Sequence, residues 1–321
     1  MTWRFNAFLL ALLLIVGGPA WWLLVDSSAR DVTAQHLDIG QLRDLANAMP
    51  GQKPAGVEIE IVAWNSLPGD LLAAGSGLRR RLIGTSAFRL AVPGKGPVII
   101  ETGLAPEVKD HWSTEDHWGM LQRDPAAQFR IDASMRAASL ILATHEHPDH
   151  LGGLAVLAGR PGGSDALAHA ALNPGQLPAA PRSALLPWPA GLKLKAVLNG
   201  RTLQAVAPGV VVIPAPSHTP GSQMIFVQLA NREEYLFTGD IASLAVNWRE
   251  LRPRARLLSD YHNPEDRGAV LGWLRAIADL KRAAPGLHVI PSHDPDWLND
   301  PLNHAGVLVP ASGPYAKLTG T

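Results

Sequence analysis

Apolar and polar positions along the chain follow several patterns, and each predicts a different element. Val57-Glu-Ile-Glu-Ile61 alternates with a period of two, so Val57–Ala63 is read as a strand with one face buried. Further strands are expected at Leu82–Val92, Pro97–Glu101, Leu192–Leu198, Val210–Ile213, Gln223–Leu229 and Tyr235–Thr238. The unbroken apolar run after Ser139, ending at Thr144, predicts a fully buried strand. His36 to Ala48 predicts a short helix, and another is expected to start near Leu151. A long one runs from Asn263 to about Ala283, with Asn263 as its cap, Pro264 in its first turn and acids following. Met49-Pro-Gly-Gln-Lys-Pro-Ala-Gly56 is a linker by its Pro and Gly content. Strands in two groups with flanking helices make this an α/β protein.

One apolar run is too long for any of these. Ala7 to Val25 is 19 apolar residues without a charge, enough to cross a bilayer, and Trp21-Trp22 suits a membrane interface. Arg4 precedes the run while Asp26 and Asp31 follow it. That bias implies a cytoplasmic N-terminus and a periplasmic or otherwise extracytoplasmic domain. The alternative is a signal peptide removed near Ser27-Ser-Ala29, which would release a secreted protein. The chain divides into an anchor or signal segment (1–25), a linker (26–56) and one large domain (57–321), for which 47% hydrophobic content is ample.

Composition removes some functions. Lys plus Arg and Asp plus Glu number 28 each, so no overall field recruits nucleic acid. The one tight basic run, Arg79-Arg-Arg81, is read as a solvated edge or turn. With no cysteine there are neither disulfides nor thiolate metal ligands.

The chemistry concentrates in His145-Glu146-His147-Pro148-Asp149-His150, at the C-terminal end of the buried strand and just ahead of Gly152-Gly153. Imidazole nitrogen and carboxylate oxygen are what Zn²⁺ takes when no thiolate is offered, so this turn is a ligand set. The motif His-x-His-x-Asp-His resembles the metallo-β-lactamase superfamily of metallohydrolases. His218 in Ala-Pro-Ser-His-Thr-Pro-Gly, Asp240 in Leu-Phe-Thr-Gly-Asp and His293 in Val-Ile-Pro-Ser-His-Asp follow in the family's order, each after a strand-like run.

The resemblance implies a four-layer αββα sandwich and two metals. His145, His147 and His218 would bind one and Asp149, His150 and His293 the other, with Asp240 as bridge. Two Zn²⁺ per chain are expected, favoured by His147 where iron-using relatives have Glu; iron or manganese are the alternatives. A metal-bridging hydroxide would attack a lactone or other carboxylic ester, with Asp149 and Asp240 as catalytic carboxylates. A phosphodiesterase or thioesterase on the same dimetal site, or a mononuclear iron enzyme like persulfide dioxygenases, are alternatives. Two departures stand out. The family's Asp-Thr-Gly loop reads Glu101-Thr102-Gly103 here, and Ser243 stands where related lactonases have Tyr, a gap Tyr261 would fill from another direction. Trp112 and Trp118 are expected as an apolar lip for a small-molecule substrate, and His262, beside Tyr261, as a further contact. Thr144, Thr238 and the backbone near Gly152 and Gly221 are expected to support the ligands.

Overall fold

A computed structural model describes residues 3–105, 121–178, 186–300, 303 and 307–308. Trp112 and Trp118 lie outside the described residues. Among the described residues, eleven strands form two sheets. The first contains β1 (Gly56–Pro68), β2 (Arg80–Ala91), β3 (Val98–Ile100), β4 (Gln122–Arg123), β5 (Leu140–Leu142) and β11 (Val307–Leu308), in the order β11-β1-β2-β3-β5 with β4 also on β1. The second contains β6 (Gln204–Ala207), β7 (Val210–Pro214), β8 (Gln223–Gln228), β9 (Glu234–Phe237) and β10 (His288–Ile290), in the order β10-β9-β8-β7-β6.

The sheets pack face to face. Val57, Ile59 and Ile61 of β1 and Phe88 and Leu90 of β2 share one core with Val210 and Val212 of β7 and Ile225 and Val227 of β8. The intervening Val211, Ile213, Met224 and Phe226 point the other way, into a second core under a long helix. Both faces of these strands are therefore buried, which is why Val210–Ile213 carries no polar alternation. Helices α3 (Pro125–Arg136) and α4 (Pro148–Leu157) cover the outer face of the first sheet, sharing a third core with Ile99 and Ile141. The long helix on the second sheet, α5 (Arg267–Ala283), buries Val270, Leu274, Ile277 and others at helical spacing. Helix, sheet, sheet, helix is the expected four-layer order.

Local expectations differ in three places. No strand forms over 192–198: Leu192, Lys193, Leu194 and Lys195 alternate in exposure on the surface, and the backbone bonds at the end of the segment run from Val197 and Leu198 to the Leu172 carbonyl, not to a strand edge. Helix α5 starts later than expected. Asp266 caps it by accepting from the Ala269 amide at 2.9 Å, because Asn263 instead closes the π-helical turn Leu257–His262 with an amide bond to the Leu258 carbonyl. Helix α4 begins at Pro148 rather than near Leu151, with His147 at its cap position.

At the N-terminus, helix α1 (Trp3–Leu24) has 22 residues, mean hydropathy 2.2 in its most apolar window and no buried residue. Beyond it, the chain from Asp26 runs as a strap across α5. A Cβ on Gly268 or Gly272 would stand 1.9 Å from the Asp31 or Thr33 carbonyl oxygen, so only glycine admits this approach. Helix α2 (Ile39–Ala46), capped by Asp38 accepting from the Gln41 amide, then places Leu42 and Ala46 in the second core. Within the segment 26–56, expected as a linker, the strap over α5 and helix α2 pack on the sandwich, while 47–52 is exposed.

Candidate metal centre

The His-rich turn folds where the sequence puts it, between β5 and α4. Pro148 starts the helix without needing an amide partner, and Asp149 and His150 ride on its first turn. Gly153 lets α4 lie on the Thr102 carbonyl, where a Cβ would approach to 1.9 Å. His218 follows β7, Asp240 sits in a 3₁₀ turn after β9, and His293 follows β10. Four strand ends thus deliver their residues to one rim, the usual place for chemistry in open α/β sheets.

The donor atoms converge as two groups. His145 Nε2 lies 2.9 Å from His147 Nδ1, which lies 3.2 Å from His218 Nε2, and Asp240 Oδ2 is 3.8 Å from His145 and 3.6 Å from His218. In the second group, Asp149 Oδ2 is 3.4 Å from both His150 Nε2 and His293 Nε2, which stand 3.3 Å apart. Asp240 Oδ1 faces this group, 2.8 Å from His293 and 3.5 Å from His150. Each oxygen of Asp240 therefore addresses a different group. All seven residues are buried.

The outward ring nitrogens are held by other atoms. His218 Nδ1 donates to Glu265 Oε2 at 2.6 Å, and His293 Nδ1 donates to the Gly84 carbonyl at 2.7 Å. His150 Nδ1 is 3.2 Å from Glu101 Oε1, and His145 Nδ1 is 3.2 Å from Thr144 Oγ1. His147 is turned the other way, its Nε2 lying 3.4 Å from Asn263 Nδ2. Outside His147, these contacts turn the inner nitrogens of His145, His150, His218 and His293 toward points shared with the Asp149 and Asp240 carboxylates, an arrangement that a cation can complete. The longer Glu101 side chain reaches its target: its carboxylate accepts from the Thr144 amide and hydroxyl, on a backbone at φ 65°. Thr238 donates to the Ile290 carbonyl at 3.2 Å, tying the Asp240 turn to β10. Glu146 turns away from the site and accepts from the Thr219 hydroxyl at 2.8 Å.

Charge separates the groups. Burial, reinforced by neighbouring imidazoles, pushes His145 and His147 well below the usual histidine range, so both are neutral as ligation requires. Burial also opposes charge on His150 and His293. There it is outweighed by Asp149, Glu101 and Asp240 around His150 and chiefly by Asp240 at His293, and both are raised. Asp240 is held far below the carboxylate range despite burial, by His293, Arg254 and His150. Burial pushes Glu265 up to about 7, against the pull of Arg254 and Arg267.

Asp149, Asp240 and His293 line a cavity whose apolar wall includes Trp64, Leu67, Leu72 and Ile83. Arg254 also lines it, donating from Nη2 to Asp240 Oδ2 at 2.5 Å and to Ser243 Oγ at 2.8 Å. Ser292 donates to Asp240 Oδ1 at 2.5 Å. The sequence offers the basic stretch from Arg249 to Arg256 as a cleft lining for a phosphodiesterase, without choosing among its arginines, and singles out none of Glu265, Asn263 and Ser292 as site residues. Ser292 adjoins His293, but Arg254 lies in an arginine-rich stretch where nothing in the pattern says which one turns inward. Tyr261 and His262, expected at the substrate, are both exposed and do not line the cavity, because the π-helical turn carries them outward. Tyr261 therefore does not occupy the space beside Ser243; Arg254 does.

The donor set is nitrogen and oxygen only, in two buried groups sharing one carboxylate, and it fits a pair of divalent cations. Solved structures share the fold. An N-acyl homoserine lactone hydrolase with the product N-hexanoyl-L-homoserine bound at the catalytic metal center has TM-score 0.55 and 16% identity, covering 76% of this chain and 95% of its own. A quorum-quenching N-acyl homoserine lactone lactonase gives 0.54 and 16%, with 78% and 96% covered. A probable metal-dependent hydrolase from Staphylococcus aureus gives 0.52 and 14%, with 76% and 91% covered. No curated protein sequence gives a significant match. The sequence profile of the metallo-beta-lactamase superfamily matches residues 81–293, which include all seven clustered residues, and the chain belongs to that superfamily.

Proposed function

We propose that this metal-dependent hydrolase cleaves a lactone or other carboxylic ester at a site that takes two zinc ions. The observation that carries the reading is Asp240, whose two oxygens face two separate groups of buried donors. His145, His147 and His218 would hold one ion and Asp149, His150 and His293 the other, with Asp240 shared. When bound, such a pair supplies Lewis acidity and brings the pKa of coordinated water towards 7. The chain's own residues do the rest. Trp64, Leu67, Leu72 and Ile83 receive the apolar part of the substrate and exclude water from the reacting carbonyl. Asp149 and Asp240, both kept ionised, are the oxygens placed to take the proton of the attacking solvent and return it to the leaving alkoxide. Arg254 fixes Asp240 and adds a permanent positive charge beside the anionic transition state.

Arg254 also favours a second reading, a phosphodiesterase, since a buried guanidinium in the cavity suits a phosphoryl oxygen. Arg79 and Arg80 give it no support, being exposed at the start of β2. Turnover measured across lactones, carboxylic esters, thioesters, phosphodiesters and β-lactams separates the readings. Carboxylic esters or lactones should be fastest, activity should vanish with a chelator, and zinc should restore it. Preference for phosphodiesters would replace the first reading with the second, and chelator-resistant ester cleavage would remove both. The charge bias around α1 further supports an anchored, extracytoplasmic domain, which a reporter fused after His304 tests.

A further inference from the structure

The end of α1 is fastened to the two segments that build the cavity. Leu72 lines the cavity; three residues later the Gly75 amide donates to the Leu24 carbonyl at 3.0 Å. Arg254 lines it too; two residues later Arg256 lies over the Trp22 ring at 5.2 Å and pairs with Asp26 at 2.8 Å. The two segments are cross-tied by backbone bonds from Ala74 to Pro253 and from Ala255 to Leu71. Arg267 adds bonds to the Asp26 and Ser28 carbonyls. The helix is therefore held at its last turn, beside the cavity, while the rest of its length stays outside the fold.

Around that point apolar side chains and charges of both signs are exposed. Leu78 is 73% exposed, Tyr261 63%, Trp21 56% and Leu257 41%, and the Tyr261 ring meets Trp22 edge-on at 6.3 Å. Exposed Arg79 and Arg80 follow Leu78 in sequence, and exposed Arg30 precedes Asp31, while exposed Asp260 precedes Tyr261. Leu258, next to exposed Leu257, packs inward on Leu72 and Ile83, so one layer of side chains links this surface to the cavity wall. Aromatic, aliphatic and arginine side chains where a bilayer-length apolar helix leaves the fold are what a membrane interface requires.

We propose that this face rests on a lipid bilayer with anionic headgroups, and that the ester cleaved at the site is an amphiphile whose apolar chain enters from that bilayer. The second half rests on the ester-hydrolase reading; the first does not. The chain lacks cysteine, so single-cysteine versions of the full-length protein at Leu78, Leu257 and, on the far side of α5, Asp279 can each carry an environment-sensitive fluorophore. In nanodiscs containing shallow nitroxide-labelled lipid, Leu78 and Leu257 should be quenched severalfold more than Asp279. Equal quenching at all three, or a purified chain that starts near Arg30, overturns the proposal. Leu78→Glu with Leu257→Glu in the full chain should lower the rate on a long-chain ester embedded in vesicles about tenfold and leave a short water-soluble ester unchanged. Equal loss on both, or on neither, overturns substrate entry from the bilayer. Failure to cleave any ester would remove the hydrolase reading while leaving the quenching result to decide the docking.

Discussion

Arg254 and Arg256 stand two residues apart and do opposite work. Arg254 turns inward to Asp240, with both side chains buried, at 6% and 5% exposure. Arg256 turns outward to Asp26, holding the strap at 12% and 12%. The first pair sits among seven convergent donors, where moving one oxygen moves both groups. The second sits at the rim, where its loss frees a segment that many other contacts still hold. Position in the network, rather than the type of pair, decides whether a substitution should read out as activity or as stability.

The largest effect should come from Asp240→Asn, which keeps the shape of the side chain while removing its charge. It should lower kcat about a hundredfold or more and cost one bound ion, as elemental analysis and steady-state kinetics would show. Full activity with both ions retained would remove Asp240 from its bridging role. Next, Arg254→Met and Arg256→Ala break the comparison directly. Arg254→Met should cut kcat/KM on a soluble ester by about tenfold to a hundredfold, the worth of a lost charge-assisted bond, whereas Arg256→Ala should leave it unchanged. Equal losses from the two would erase the distinction drawn between them.

Gly272→Val tests the strap alone. The added side chain must displace the Thr33 carbonyl, and the cost should be about 1–3 kcal/mol in a denaturation experiment, with metal content unchanged. The smallest effect concerns acid. The Ser28 backbone amide, then the Ser28 and Arg256 side chains, lower Asp26 from its ordinary 3.8 despite some burial, and Arg43 lowers Glu234 from 4.5 against its own burial. Both pKa values are depressed in the folded chain, so their stabilisation is present above those ordinary values and is lost as pH falls through the lower folded ones. Arg43 is 47% exposed, so solvent screens its pair and the loss should be about 1 kcal/mol or less. Hydrogen-exchange protection over residues 26–46, corrected for the intrinsic rate at each pH, should therefore fall between pH 5 and pH 3. No change there would assign the strap's hold to packing alone.

Much of the catalytic rim was legible in the sequence because it is local. Five of the six positions in the turn 145–150 reach the cluster, four as donor side chains and Pro148 as the start of helix α4, and the other three clustered residues each follow a strand whose apolar run marks it. Which arginine of 249–256 turns inward was not legible, nor was Glu265, since both act across loops whose path depends on how α5 packs. The same limit explains the strap. Asp26 to Thr33 shows no periodicity, and its partner is the spacing of Gly268 and Gly272, a groove that exists only once α5 is formed. The Leu-Lys alternation at 192–195 failed as a strand signal for the complementary reason: the pattern was present, but the segment's tertiary backbone bonds go to the Leu172 carbonyl and not to a sheet edge.

The account turns on two cations shared through one carboxylate. Elemental analysis of the purified full-length protein tests that most directly, and it should find about two divalent ions per chain, chiefly zinc, falling to about one in His293→Ala. One tightly held iron and no second metal, with His293→Ala unchanged, would contradict it.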